Sequence, residues 1–258
     1  MPSKLPDRHS ATLRAFTVLE SVVGSERPVS LADAMADSGL LKPTVYRILV
    51  LLERAGLLLR EPNAKRYSPG PRLSKLALDT LLNPALRAPR HAILQTLVGE
   101  TGETCNLTML DGNEIVYLDR VEAASPLRLD LRPGSRVPLH CTASGKLFLS
   151  HLPRKYRQKL IHSTPLKRYT KNTITDTTLL ERELDRIRAN QLATDNEEFL
   201  AGTTCLAIPV RGQNGRLCVS VAVQAPTARM TLEQSLQHLP ALRSAAEYLS
   251  ATYRFDDT

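Results

Sequence analysis

Apolar residues in the first third of the chain follow two helical repeats separated by a short turn. The first predicted helix runs from Leu31 to Asp37, with Ser30 as its N-cap and Ser38-Gly39 at its end. The second begins at Pro43, because a first helical turn does not need the N–H that proline lacks. Its apolar positions fall at i, i+3, i+4 and i+7, and they are Val45, Ile48, Leu49 and Leu52.

The other face of this second helix is polar and basic. The residues that lie mostly off the apolar stripe are Lys42, Thr44, Tyr46, Arg47 and Arg54. A helix that is buried along its back and carries long donor side chains on its front has the form that enters the major groove of DNA. The pattern therefore predicts a recognition helix.

Two short extended runs follow, Leu57 to Arg60 and Arg66 to Ser68, with Pro62-Asn63-Ala64-Lys65 between them. They predict a β-hairpin wing, and Arg60, Lys65 and Arg66 are placed near its tip to contact phosphates. Helix, turn, helix and wing in this order predict a winged helix-turn-helix. The alternatives are a generic helical hairpin with a solvated charged face and a winged helix used for protein contacts.

Amphipathic helices flank this unit. The first is predicted from Leu13, Phe16, Thr17, Leu19 and Val23. A second follows the wing over Pro71 to Leu82 and is interrupted by Asn83-Pro84, with Pro89 close behind. We therefore predict a DNA-binding domain over residues 1–78, a linker helix over 79–88 and a further domain over 89–258.

The further domain alternates helices and strands without a strict βαβ rhythm. Asp111-Gly112-Asn113 joins strands Thr104 to Leu110 and Glu114 to Val121, and a turn at 213–215 joins Cys205 to Arg211 and Leu217 to Val223. Hairpins flanked by helices predict an α+β fold rather than a doubly wound sheet. The other predicted elements are helices Ala92 to Glu100, Thr142 to Leu149 and Leu179 to Gln191, a strand Leu127 to Leu131 and a turn at Pro133-Gly134.

Two capping boxes are predicted in this domain. Thr178-x-x-Glu181 would open the helix that ends at Gln191, and Thr231-x-x-Gln234 would open the last helix. The stripe predicted for the last helix consists of Leu232, Leu236, Leu239, Leu242, Ala246 and Leu249.

The charge of the chain supports a polyanion partner at its N-terminal end. Residues 1–75 hold 12 Lys and Arg against 7 Asp and Glu, a net charge of +5, whereas the rest hold 22 against 19, a net of +3. The four cysteines are isolated, and no signal peptide or apolar run of about 18 residues is present. We therefore expect a cytoplasmic protein with buried thiols, no disulfide and no membrane segment.

Catalysis is the main rival class of function. Ser144-Gly145-Lys146-Leu147 is not a phosphate loop, because His140 replaces the first glycine and Leu147 the magnesium-binding hydroxyl. His140 and Cys141 are adjacent and would point to opposite faces of a strand. A set of His140, Cys141, His151 and Cys205 lacks the short spacing of structural zinc. We expect no catalytic residue, no metal and no cofactor.

Several motifs make the chain similar to the IclR family of bacterial transcriptional regulators. In the first domain they are Ser38-Gly39-Leu40, Thr44-Val45-Tyr46-Arg47, Leu52-Glu53-x-x-Gly56 and Tyr67-x-x-Gly70. In the second they are Pro138-x-His140-x-Thr142-Ala143-x-Gly145-Lys146, Asp195-x-Glu197-Glu198-x-x-x-Gly202, Pro209-Val210 and Ala225-Pro226. The resemblance implies a winged-helix domain, a linker helix and a GAF-like effector-binding domain. It also implies a DNA-bound dimer, or a dimer of dimers, that answers to a small metabolite.

The DNA-contacting residues that we predict are Ser30, Lys42, Pro43, Thr44, Tyr46, Arg47, Arg60, Lys65 and Arg66. Pro43 departs from the family pattern, which commonly has a serine there, and this change removes a hydroxyl that would contact phosphate.

The effector-binding positions that the resemblance implies are Leu139, Ala143, Ser144, Gly145, Asp195, Cys205, Ala222 and Gln224. Backbone N–H groups at Ser144-Gly145, at a helix N-terminus next to Thr142, would suit a carboxylate. Three of these residues also have a purely structural interpretation. Cys205 would be a core residue, Asp195 would cap the turn after the helix that ends at Gln191, and Ser144 would be a solvated residue in a first helical turn.

Two of these positions suggest the class of effector. Relatives that bind small acids carry serine where this chain has Ala222 and Gln224, so one hydroxyl is lost and a longer amide is gained. We therefore expect a larger, aromatic or hydroxylated acid rather than one of glyoxylate size. The whole sequence predicts a ligand-responsive regulator of catabolic or transport genes that binds a near-palindromic operator. A constitutive architectural DNA-binding protein is the alternative, and repression or activation is left open.

Overall fold

The computed structural model describes residues 10–25, 27–61, 65–124, 131–163, 165–212 and 215–253, which divide into two compact units between Thr80 and Leu81. This division lies within the predicted linker interval. Three predicted features lie wholly or mostly outside the described residues: the wing tip at 62–64, the strand predicted at 127–131, and the turn at 213–215.

The first unit contains three helices and a small antiparallel sheet. The helices are α1 (Ala11–Val23), α2 (Leu31–Ser38) and α3 (Lys42–Arg54), and the strands are β1 (Val29–Ser30), β2 (Leu58–Arg60) and β3 (Arg66–Pro69). The strand order β1-β3-β2 adds one strand to the two predicted for the wing. The winged helix-turn-helix prediction is confirmed.

Local chemistry explains where α2 begins and ends. The Ser30 Oγ accepts a hydrogen bond from the Asp33 N–H at 3.2 Å, and an Asp33 oxygen accepts one from the Ser30 N–H at 2.9 Å, which is a complete capping box. Gly39 ends the helix at φ +67°. The predicted stripe of α3 is entirely buried and forms the core of this unit with α1 and β3.

The predicted buried face of α1 is wrong. Val18 and Val22 are buried, whereas Phe16 and Val23 are 55% and 49% exposed. Apolar residues lie on more than one side of this helix, so its sequence fits two stripes equally well. Packing against the other helices selects the stripe centred on Val18 and Val22.

Two helices lead into the second unit, α4 (Pro71–Leu82) and α5 (Pro84–Thr101). The Asn83 side chain caps α5 by accepting a hydrogen bond from the Ala85 N–H at 3.0 Å. The helix predicted at Ala92 to Glu100 is only the second half of α5, which continues through Pro89.

The second unit is built on a six-stranded antiparallel sheet with the order β6-β5-β4-β9-β8-β7. Its strands are β4 (Thr104–Asp111), β5 (Glu114–Val121), β6 (Arg136–Pro138), β7 (Ala193–Asn196), β8 (Thr203–Arg211) and β9 (Leu217–Pro226). The α+β prediction is confirmed, and the β4–β5 turn has Gly112 at φ +64° as expected. β6 and β7 have three and four residues, too few for an alternating pattern to reveal them.

Helices of this unit pack on the sheet or flank it. They are α6 (Ala143–His151), α7 (Arg154–Ser163), α8 (Thr177–Asn190), α9 (Leu232–Ser235) and α10 (Leu239–Ala251). α6 is buried from Ala143 through Ser150, and it packs with α8 and several strands around one core. The mostly polar sequence of α7 buries only Arg157 and Ile161, which explains why periodicity missed it.

Two predictions about helices are wrong: the cap of α8 and the continuity of the last helix. The cap of α8 is Asp176, whose Oδ1 accepts from the Leu179 N–H at 2.8 Å, while Glu181 pairs with Arg157. The capping box at Thr231 is confirmed, but a 3₁₀ turn at Leu236–His238 interrupts the helix that it opens. Pro240 cannot donate to the Leu236 carbonyl, so an unbroken α-helix is disfavoured there.

Candidate DNA-binding surface and effector cavity

The outer face of α3 carries the side chains predicted to contact DNA. Lys42, Pro43, Tyr46 and Arg47 are exposed, and Thr44 is half-buried. Pro43 lies in the first turn, where the Thr44 and Val45 N–H groups bond to the Leu41 carbonyl. The buried stripe on the back of α3 fixes the helix, so these side chains project from a rigid support.

The wing residues differ in how they are held. Lys65 is exposed with φ +48°, and Arg60 is exposed with its guanidinium 6.0 Å from the Tyr67 ring centre. Arg66 donates to the Pro28 carbonyl at 2.9 Å and lies 3.5 Å from Asp33, so it also ties the wing to α2. Ser30 likewise has the structural task of capping α2.

Six of the predicted effector-binding residues line one cavity between α6 and the sheet. They are Ala143, Ser144, Asp195, Cys205, Ala222 and Gln224. The sheet register explains their proximity, because Asp195 pairs with Cys205 and Cys205 pairs with Gln224. The Ser144 Oγ lies 3.1 Å from the Ser220 Oγ and joins α6 to β9.

The other two predicted residues, Leu139 and Gly145, do not line this cavity. Leu139 lines a separate cavity of about 170 Å³ with His140 and Tyr169. The Gly145 N–H donates to the Thr142 Oγ1 at 3.1 Å and is therefore not a free donor for an anion. Glycine is needed here because a Cβ would overlap the Leu139 carbonyl oxygen.

Asp195 lines the cavity and also caps a turn, which is the turn after β7 rather than the one expected after the helix that ends at Gln191. Its Oδ1 accepts from the Glu198 N–H at 2.7 Å and from the Phe199 N–H at 3.4 Å, so it caps the turn after β7 while it lines the cavity. Burial raises the pKa of Asp195 to about 7. The hydrogen bond from the Glu198 N–H and the Lys146 charge oppose this rise, and the charge of the Glu198 carboxylate adds to it.

A buried ion pair supports this side of the cavity. The Lys146 ammonium on α6 is fully buried and bonds to the Glu198 carboxylate, with Glu183 at 3.7 Å. Burial raises the pKa of Glu198, and the Lys146 charge opposes that rise. The pair connects α6 to the turn that Asp195 caps.

Sequence reasoning missed Asn106 and Arg120. Asn106 lines the cavity, and one Arg120 nitrogen donates to the Asn106 Oδ1 at 2.9 Å and to the Gln224 Oε1 at 3.2 Å. If the residues of β4 and β5 are paired in order from the turn that joins them, Asn106 lies opposite Asp119. A bulge beside Leu107 shifts the register by one, and Arg120 takes that place.

The chemistry of the remaining groups does not favour catalysis or metal binding. Burial raises the pKa of the Cys141 and Cys205 thiols, which disfavours the nucleophilic thiolate. Over the described parts of the chain, no three His, Cys, Asp or Glu side chains are placed to hold a metal ion, and no helix is long and apolar enough to cross a membrane.

Two family models match the chain. The IclR helix-turn-helix domain matches residues 11–62, and the C-terminal domain of the bacterial transcriptional regulator IclR matches residues 79–251. The chain belongs to the IclR family. The relatives found are transcriptional regulators and not enzymes, and the same holds for this chain.

Relatives in this family match over nearly their whole length. The chain is 46% identical over 245 residues to a probable transcriptional regulator, SauR, of Cupriavidus necator, covering 95% of this chain and 97% of the relative. It is 31% identical to the regulator KdgR of Escherichia coli, covering 98% and 96%.

Solved structures give the same result. The IclR protein of Thermotoga maritima superposes with a TM-score of 0.63 and 32% identity, covering 94% of this chain and 98% of that one. A double mutant of the PobR inducer-binding domain from Acinetobacter, in complex with 3-hydroxybenzoic acid, has a TM-score of 0.60 and 28% identity, covering 65% of this chain and 97% of that one.

Proposed function

We propose that this IclR-family regulator binds a near-palindromic operator through α3 and its wing, and answers to a small organic acid bound in the cavity beside α6. It acts in the cytoplasm and controls catabolic or transport genes. The observation that carries the proposal is the exposed basic face of α3, held rigidly by a fully buried stripe in a domain that matches the IclR helix-turn-helix.

On DNA, the exposed residues divide into base-reading and positioning groups. Arg47 is exposed on α3 and carries a planar donor suited to guanine, and Lys42, Tyr46 and the half-buried Thr44 are further donors on the same helix. Arg60 and Lys65 on the wing contact phosphates. Ser30 and Arg66 already make hydrogen bonds within the domain. Their contacts with the DNA backbone are made in addition to these bonds.

A near-palindromic site requires two copies of the recognition helix related by a twofold axis. We therefore propose a homodimer on each operator, with a dimer of dimers where two operators are joined. Binding of an effector acts by linkage, because a ligand that prefers one arrangement of the paired winged helices shifts the population of dimers that fit both half-sites.

The effector is a larger, aromatic or hydroxylated acid rather than one of glyoxylate size. Relatives that bind small acids have serine at the positions of Ala222 and Gln224. Compared with them, Ala222 lacks a hydroxyl and Gln224 supplies an amide, so the hydrogen-bonding groups of the cavity suit a ligand other than a two-carbon acid. The PobR domain with its bound 3-hydroxybenzoic acid supports this class. As it stands, the cavity offers only about 20 Å³ to the centre of a water molecule, so a ligand of this size binds by opening it.

The same small volume favours one alternative, a constitutive DNA-binding protein whose second domain holds no ligand. Both functions need DNA, so they share the first test. Recovery and sequencing of the DNA bound by the protein in its own cells should give a short, near-palindromic site beside a few catabolic or transport genes. Uniform coverage of the genome would refute sequence-specific regulation. The functions of the genes beside a recovered site indicate which acids to test as effectors.

A further inference from the structure

Two buried amide side chains line the effector cavity from adjacent strands. Asn106 on β4 is 2% exposed and Gln224 on β9 is 7% exposed. In the β4–β9 register Asn106 pairs with Ala222, and Gln224 lies two residues further along β9, so both amides project from the same face of the sheet. This is the face that meets Ser144 of α6.

Arg120 decides which end of each amide faces the cavity. Its Nη1 lies 2.9 Å from the Asn106 Oδ1 and 3.2 Å from the Gln224 Oε1. A guanidinium has five donors and no acceptor, so both of these amide atoms must be oxygens. The two NH₂ groups are consequently the ends left for other partners, and neither donates a hydrogen bond to a described residue.

A third polar group completes the arrangement. The Thr108 Oγ1, on the same face of β4, is buried and has no protein partner in the described part of the chain. Buried polar groups are nearly always hydrogen-bonded, so this unpartnered hydroxyl indicates a ligand, and the two amide side chains line the same cavity. Four amide N–H donors and one hydroxyl suit an oxyanion, which has acceptors only.

We infer that Arg120 is a positioning residue that makes this cavity a donor site for the carboxylate of the effector, which Asn106 and Gln224 contact directly. The inference rests on the proposed function and adds the orientation of the ligand: its acid group points to β4 and β9, and its remaining atoms point to α6. Arg120 does not itself line the cavity, so it acts through the two amides.

Other charged and titratable groups surround the site. Asp195, Cys205 and Tyr117 lie on the sheet beside it, the Lys146–Glu198 pair joins α6 to the turn after β7, and Glu122 is 3.6 Å from Arg120. Asp195 is the group that would repel a carboxylate. Its pKa is raised to about 7, so at acidic pH it is protonated and an anion is tolerated beside it.

Bromide is a suitable probe, because it accepts N–H hydrogen bonds and is located in crystals by anomalous scattering. We would soak crystals of the full-length protein in sodium bromide at about pH 5.5, where Asp195 is protonated. The variants are Gln224→Glu, which replaces the cavity-facing NH₂ by a carboxylate oxygen, and Arg120→Met, which releases both amides. Arg120→Lys is the conservative variant, and Glu122→Gln removes one charge near Arg120 and leaves Asn106, Gln224 and Thr108 unchanged.

We expect a bromide ion about 3.5 Å from the Asn106 and Gln224 amide nitrogens in the wild type, in Glu122→Gln and, at lower occupancy, in Arg120→Lys. Gln224→Glu and Arg120→Met should lose at least about nine-tenths of that occupancy, which corresponds to a tenfold or greater change in affinity. Absence of bromide at these nitrogens in the wild type, or equal occupancy in Gln224→Glu, would overturn the inference. Operator binding by the same preparations separates the two proposals, since its loss with bromide retained would refute only the proposed function.

Discussion

Gly145 looks like an anion donor in the sequence and acts as a packing residue in the fold. Its N–H donates to Thr142, and a Cβ at this position would overlap the Leu139 carbonyl oxygen. The family motif at this position is therefore explained by close approach of two backbone segments, in which a side chain has no space.

We expect Gly145→Ala to lower the free energy of unfolding by roughly 2 kcal/mol or more, because the backbone of Leu139 must move to admit a Cβ. Urea denaturation followed by circular dichroism measures this loss. Gly99→Ala is the matched control: Gly99 lies within α5 with open space at its Cβ position, so alanine should raise stability by about 0.5–1 kcal/mol. Equal midpoints for wild type and Gly145→Ala would contradict the packing role.

Asp195 makes stability depend on pH in an unusual direction for a carboxyl group. Its folded-state pKa of about 7 lies above the value of 3.8 for an ordinary Asp, so the folded protein keeps a proton that the unfolded chain releases. The stability linked to this proton is complete below about pH 4 and is lost as the pH rises through about 7.

Asp195→Asn removes the charge and keeps an oxygen for the Glu198 and Phe199 N–H groups. Relative to the wild type, its free energy of unfolding should rise by roughly 2–4 kcal/mol between about pH 4 and pH 8. Denaturant midpoints measured across this range provide the test. A curve for Asp195→Asn parallel to that of the wild type would show that the pKa of Asp195 does not differ between the folded and unfolded states.

Two residues near the start of α8 are candidates for its N-cap. Asp176 and Thr178 are both good N-cap residues, and the structure uses Asp176. Asp176→Ala should therefore cost about 1 kcal/mol of stability, whereas Thr178→Ala should change it by less than about 0.5 kcal/mol. Thermal denaturation of the two variants side by side decides between the caps, and the reverse ranking would restore the capping box that the sequence suggests.

Helix α3 and the wing should respond differently to loss of a cation. Arg47→Ala is expected to cost about 1–3 kcal/mol of operator affinity and to relax preference at one base pair, since a base contact is lost. Lys65→Ala should weaken binding to all sequences alike and lower the slope of log K against log salt by about one. Fluorescence anisotropy with operator and scrambled DNA at several salt concentrations separates the two effects. Equal, sequence-independent losses would argue against base reading by Arg47.

As a complete molecule, a sensor differs from an architectural protein in what stabilises it. An acid that binds the folded state at a hundredfold excess over its Kd adds about 2.7 kcal/mol, and an architectural protein gains nothing. Thermal shifts with glyoxylate, lactate, benzoate and 3-hydroxybenzoate should show the largest gain for an aromatic or hydroxylated acid. Ala222→Val, which narrows the cavity, should lose that gain while it still binds the operator. A gain that survives in Ala222→Val would place the ligand elsewhere.

Much of this protein follows from local chemistry along the chain. The buried stripe of α3, the caps at Ser30 and Thr231, and the glycine turn between β4 and β5 all depend on residues within a few positions of one another. The motif order likewise indicates the family. These features can be predicted from the sequence because helix periodicity, capping and turn chemistry are short-range properties.

Contacts between distant segments decided the remainder. The buried face of α1, the cap of α8 and the short strands β6 and β7 depend on what packs or pairs against them. In the cavity, one bulge beside Leu107 places Arg120 opposite Asn106, and sheet order brings Gln224 to the same guanidinium from more than a hundred residues away. A one-residue change of register moves a side chain to the opposite face of a strand, so no local pattern reports which groups meet in the cavity.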